Sequence, residues 1–123
     1  MKYKKIFVNK LLLGWICFFC QGAMAWEINE IYSNEDGSIQ FIELFSSSDN
    51  QDSLQNITIV STENGSSNKN TYTFDSNLED TATANHSLLL ATPGFSVLPG
   101  GIAPDYEIPF DFLFITGALL HKY

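Results

Sequence analysis

The chain contains no arginine, and beyond residue 20 it contains no cysteine. Its six lysines are unevenly placed: Lys2, Lys4, Lys5 and Lys10 open the sequence, and only Lys69 and Lys122 lie past residue 25. All 14 acidic residues lie past residue 25. The whole chain therefore has a formal net charge of −8, while residues 26–123 set 14 carboxylates against two lysines and carry −12. Nucleic-acid binding needs a cationic footprint to neutralise phosphates, and this balance excludes it. Anionic membrane surfaces are disfavoured for the same reason. Without thiols past residue 20 there is no disulfide to staple the acidic segment, so its stability must come from apolar burial. Zinc-ligand spacing is missing as well, because His86 and His121 stand far apart and no thiolate accompanies them. No glycine loop leads into a helix to cradle phosphate.

The basic start has a plain use. Lys2, Lys4 and Lys5 precede the apolar stretch 11–20, and Ala23-Met24-Ala25 supplies small residues at a cleavage point. That order is a secretory signal peptide, predicted to be cut after Ala25 and to leave a secreted product, extracellular or periplasmic, starting at Trp26. A membrane anchor would need roughly 20 apolar residues, about twice this run. Lipidation at Cys20 or Cys17 would want a small preceding residue, but Phe19 and Ile16 stand there. Both cysteines read as apolar filler.

Beyond residue 26 the chain shows short runs rich in Ile, Phe, Tyr, Val and Thr, separated by clusters of Asn, Asp, Gly, Ser and Pro. That rhythm predicts an all-β sandwich or barrel. Residues 26–32 and 39–45 form the first expected hairpin, with Asp36-Gly37 supplying the positive φ of a tight turn. Apolar residues on both faces of 39–45 mark a central strand. Glu43 sits in that row and needs hydrogen-bond partners there. Residues 56–60 and 71–74 form a second expected hairpin around Asn64-Gly65. A fifth strand is expected at 87–91 and a sixth at 110–115. Leu54 and Leu78 are expected to tuck inward from polar loops. The proline- and glycine-rich stretch between 93 and 109 is expected to be a loop over the sheet, pinned by Phe95, Val97 and Ile102. An apolar strand running almost to the terminus would be an exposed edge. It suggests a truncated or frame-shifted form of a longer protein, with 117–123 a short tail.

Candidate chemistry is sparse. His86 beside Ser87 offers a base and a nucleophile, but adjacent strand residues point to opposite faces. A polar residue at a strand entrance is the favoured reading. Acidic groups at Glu35-Asp36, Asp49 with Asp52, Glu79-Asp80, and Asp105 with Glu107 and Asp111 could do acid–base work, yet no pattern selects a pair. Calcium, which takes six to eight oxygens, suits them better. Asp105, Glu107 and Asp111 are the preferred set and Asp49 with Asp52 the next, although solvated loop acids are favoured over both. Neither set follows the EF-hand spacing. Asn56, Asn64 and Asn85 head glycosylation acceptor triplets, relevant only in a host with that machinery.

Three stretches resemble the lamin-tail-like domain of bacterial extracellular proteins. Ile28-Asn29-Glu30-Ile31 is similar to its first strand, and Phe41-Ile42-Glu43-Leu44 to its second, an apolar pair followed by Glu and Leu. Leu54-Gln55-Asn56-Ile57 occupies the place of its Leu-Ser-Gly-Trp turn, without the Gly and Trp. The resemblance spans roughly residues 26–115. It implies an immunoglobulin-like sandwich over 26–116, incomplete because the family has further strands. It also implies a module that accompanies secreted nucleases, phosphatases and adhesive or surface-anchored domains, with other extracellular components as partners. The expected function is a secreted, non-catalytic module for attachment, assembly or display. The rivals are the N-terminal fragment of a secreted hydrolase and a calcium-stabilised surface protein. Glu43, matching the family's Glu, is expected to hydrogen-bond backbone groups and fix a loop rather than touch a ligand.

Overall fold

The computed structural model describes residues 5–6, 16–19 and 25–114. The signal peptide expected over 1–25 and the tail at 117–123 therefore lie largely or wholly outside the described residues. Two short strands, β1 (Lys5–Ile6) and β2 (Ile16–Phe19), come first. They are followed by β3 (Trp26–Ser33), β4 (Gln40–Ser46), β5 (Thr58–Thr62), β6 (Lys69–Thr73) and β7 (His86–Ala91). A one-turn helix, α1 (Pro93–Ser96), and a two-residue strand, β8 (Tyr106–Glu107), complete the set. The first sheet has the order β1-β3-β4-β7-β8 and the second β2-β5-β6. The fold is an all-β, two-sheet sandwich.

Alternation along β4 explains the layering. Gln40, Ile42, Leu44 and Ser46 are buried, while Phe41, Glu43 and Phe45 are half-buried on the opposite face. Ile42 and Leu44 of the buried row pack with Ile31, Leu88 and Leu90 of the flanking strands, with Ile59 of the second sheet, and with Phe74 and Leu54. Leu54 is fully enclosed and Leu78 packs against the same cluster. Fully burying one such side chain stabilises a fold by about 1.5–3 kcal/mol, so this row outweighs any single surface interaction.

The β3–β4 hairpin turns where Asp36-Gly37 predicts. Gly37 has φ +70, and Asn34 ties both ends together: its backbone N–H donates to Ile39 O and its side-chain oxygen accepts from Ile39 N–H. A bulge between Ile28 and Glu30 shifts the register, placing Glu30 opposite Glu43. Like charges in that position repel. The bulge residue relieves the repulsion, because Asn29 Nδ2 donates to Glu43 Oε1, and Ser87 Oγ donates to the same oxygen from β7.

Residues 110–115 do not form the sixth strand within their described part. Asp111 adopts φ +56, which breaks an extended run, and Phe110 is exposed. Leu113 pairs instead with a side chain: its N–H donates to Gln40 Oε1, and its carbonyl accepts from Gln40 Nε2. From the second sheet, Asn70 Nδ2 donates to the carbonyls of Asp111 and Phe112. Phe112 is thereby seated in the core between two amide clamps.

The last strand among the described residues, β8, runs parallel to β7, with Leu90 opposite Tyr106. Parallel neighbours need a long crossover, which the stretch holding α1 provides. Only part of its expected pinning is observed. Phe95 packs edge-on against Phe41, which stacks on Tyr32. Val97 and Ile102 point outward, 80% and 64% exposed. The one-turn helix forms because Pro93 at its first position needs no amide partner and presets φ.

Candidate functional site

Two polar loops are stitched together beside the β7–β8 edge. Asn50 N–H donates to Thr81 O, Ala84 N–H to Asp49 Oδ1, and Gln51 N–H to Thr83 Oγ1. Thr83 Oγ1 in turn donates to Ser48 O. Leu54 and Leu78 both donate their N–H groups to Asp52 O, which draws two apolar side chains toward the core. These bonds hold the connection between β6 and β7 away from the sheet, and a cleft of about 660 Å³ opens beneath it.

The floor of the cleft is aromatic and apolar: Trp26, Leu88 and Tyr106 are buried there. Each ring also has its polar atom committed. Trp26 Nε1 donates to Gln51 O, and Tyr106 OH donates to Ser76 O. Tyr106 meets Phe74 edge-on, and Phe74 meets Tyr72 the same way. Burial pushes the Tyr106 phenol up, offset in part by its bond to Ser76 and reinforced by Asp75 and Asp105. Burial, then the nearby Asp75, Tyr106 and Glu107, push Tyr72 up to about 12. The exposed rim carries Glu79, Asp80, Asp105 and His86. Among the described residues no lysine or arginine lines it, so their field favours positively charged groups.

His86 and Ser87 lie on opposite faces of β7. Strand alternation places His86 on the face shared with Leu88, while Ser87 donates to Glu43 on the other. Glu43 is half-buried and accepts from two side chains, not from the backbone groups expected of it, and it fixes the bulge rather than a loop. The acidic set Asp105, Glu107 and Asp111 is not brought together. Asp105 Oδ2 accepts from Leu89 N–H beside β8, Glu107 lies within β8, and Asp111 packs against the hairpin turn at Gly37. Asp49 is spent on Ala84. Among the described residues, no group of three His, Cys, Asp or Glu side chains is arranged to hold a metal ion.

Two kinds of residue escaped sequence reasoning. Trp26 and Tyr106 build the cleft floor, and the signal for Tyr106 was only its place between Pro104 and Pro109. Gln40 reads as one polar residue at a strand entrance, yet it is fully buried and holds Leu113, Ser33 and Thr92 together. Compared with protein families, with characterised proteins and with solved structures, the chain matches none.

Proposed function

We propose that this chain is an exported, non-catalytic β-sandwich module that attaches to other extracellular components, with the acid-rimmed cleft as its contact for a positively charged group. The observation that supports this best is the division of labour around the cleft. Ser87 and Asp49 are hydrogen-bonded to the scaffold, while the exposed rim acids Glu79, Asp80 and Asp105 surround an aromatic floor, the last two each accepting one backbone N–H, from Ala82 and Leu89. An immunoglobulin-like, lamin-tail-like relationship is part of the same reading, supported by the two-sheet layering and by the matching Glu43 strand.

Titration of the exported product with tetralysine and with tetraglutamate, followed by amide NMR, tests the contact. Tetralysine is expected to shift the amides of Glu79, Asp80 and Asp105, and Glu79→Gln with Asp80→Asn to weaken that response. Unmoved cleft amides would end the assignment. Release of phosphate or nucleotides by the product, abolished by His86→Ala, would overturn the non-catalytic part.

A further inference from the structure

With the two N-terminal strands set aside, the described residues form four sheet edges: β3 and β8 in the first sheet, β5 and β6 in the second. An open edge is a row of unpaired backbone groups ready to accept another strand. Proteins blunt such edges with charge, bulges, short length or a covering segment. Three of the four are blunted here. β3 carries Glu27, Glu30 and the bulge. β8 is two residues long. β6 carries Lys69, and its Asn70 is tied to the carbonyls of Asp111 and Phe112.

β5 has none of these devices. Its sequence is Thr58-Ile59-Val60-Ser61-Thr62, without charge, proline or bulge, and four of its five residues are β-branched. This is also the edge on which the chain seats β2, in unbroken antiparallel register from Ile16 opposite Ser61 to Phe19 opposite Thr58. We propose that the outer edge of β5 is a strand-acceptor site. The chain's own Ile16–Phe19 occupies it before export. Once that segment is removed, an extended apolar strand of another polypeptide, in a positively charged sequence context, takes its place. The removal step rests on the exported-module reading above; the acceptor edge does not.

The occupant's chemistry follows from the segment already seated. It is Ile-Cys-Phe-Phe, and it follows Lys4, Lys5 and Lys10, whereas the remainder of the chain carries −12. Strand addition draws affinity from main-chain hydrogen bonds and selectivity from alternate side chains. Opposite net charge speeds the encounter. A second copy of the exported product has the wrong charge for that role. Retaining the leader blocks the edge, so export would itself switch on attachment.

Engineered thiols test the site. In the full chain, Val60→Cys with Cys20→Ser puts thiols at paired register positions 17 and 60, and Thr62→Cys in the same background puts the second thiol two residues out of register. Disulfide geometry is demanding enough that the in-register pair should close about tenfold faster under mild oxidation, read by mass and peptide mapping. Next, the exported Val60→Cys product is offered a peptide of residues 10–21 carrying Cys20→Ser. A mixed disulfide is expected, and the peptide bearing Phe18→Pro, which lacks a strand N–H, should not be trapped. Equal closure rates, or equal trapping of the two peptides, would overturn the acceptor site. A product that keeps residues 1–25 would overturn export alone, since the full-chain comparison still reports on the edge. If Val60→Cys misfolds, hydrogen exchange of the wild-type β5 amides decides the matter instead: the peptide should protect them and the proline variant should not, and equal protection by both would overturn the site.

Discussion

Gln40 does the work of a missing strand. Its side-chain amide presents one donor and one acceptor to Leu113, the same pair a neighbouring backbone would present, and its Nε2 also donates to Ser33 Oγ. Replacing it with leucine keeps most of the volume and strips out both backbone bonds. The N–H and carbonyl of buried Leu113 would then be unsatisfied. At about 1–3 kcal/mol for each orphaned group, Gln40→Leu should cost roughly 2–6 kcal/mol, read as a lower urea midpoint at unchanged slope. A loss under about 1 kcal/mol would show that water replaces the amide. Tyr72 gives a second expectation. Its folded-state pKa is about 12 against an ordinary 10, mainly because it is buried. The unfolded chain therefore releases this proton first as pH rises, so stability is unaffected below pH 10 and falls between about 10 and 12. Tyr72→Phe should flatten that alkaline limb in a pH series of thermal melts. Equal limbs in both proteins would place the sensitivity elsewhere.

At the scale of elements, the sequence was a good guide wherever a strand pairs with its chain neighbour. The β3–β4 hairpin announces itself through alternation and the Asp36-Gly37 turn, and β4 through apolar residues on both faces. The β5–β6 pair was legible for the same reason. Legibility failed where pairing departs from a ladder. Residues 110–115 have strand composition, but Asp111 turns back at φ +56 and the partners offered are the amides of Gln40 and Asn70, which no periodicity announces. In contrast, β8 has only two residues and no room to alternate, and its parallel partner lies across a crossover. Composition marked Val97 and Ile102 as anchors, yet only Phe95 found a facing ring. The cleft was illegible because it is assembled from loop carbonyls and amides, whose bonding depends on backbone geometry rather than residue type.

For the molecule as a whole, the dominant physical fact is charge of one sign. A net −8, or −12 past residue 25, favours solubility and pushes the compact state apart. Screening shortens the Debye length from about 30 Å at 0.01 M to about 8 Å at 0.15 M. The thermal midpoint should accordingly rise when sodium chloride is raised over that range. Millimolar calcium at constant ionic strength should add nothing, given that Asp105, Glu107 and Asp111 are spread over separate places. A further calcium-specific rise would point to ligands drawn together on binding.

The seating of Trp26 has a practical consequence. The chain has two tryptophans, Trp15 and Trp26, and only the second lies past residue 25. Its indole is shielded and bonded to Gln51 at the base of the cleft. A product cut after Ala25, as proposed above, would therefore carry its own fluorescent gauge: intrinsic emission would follow any occupant above it without a dye, a tag or an engineered label.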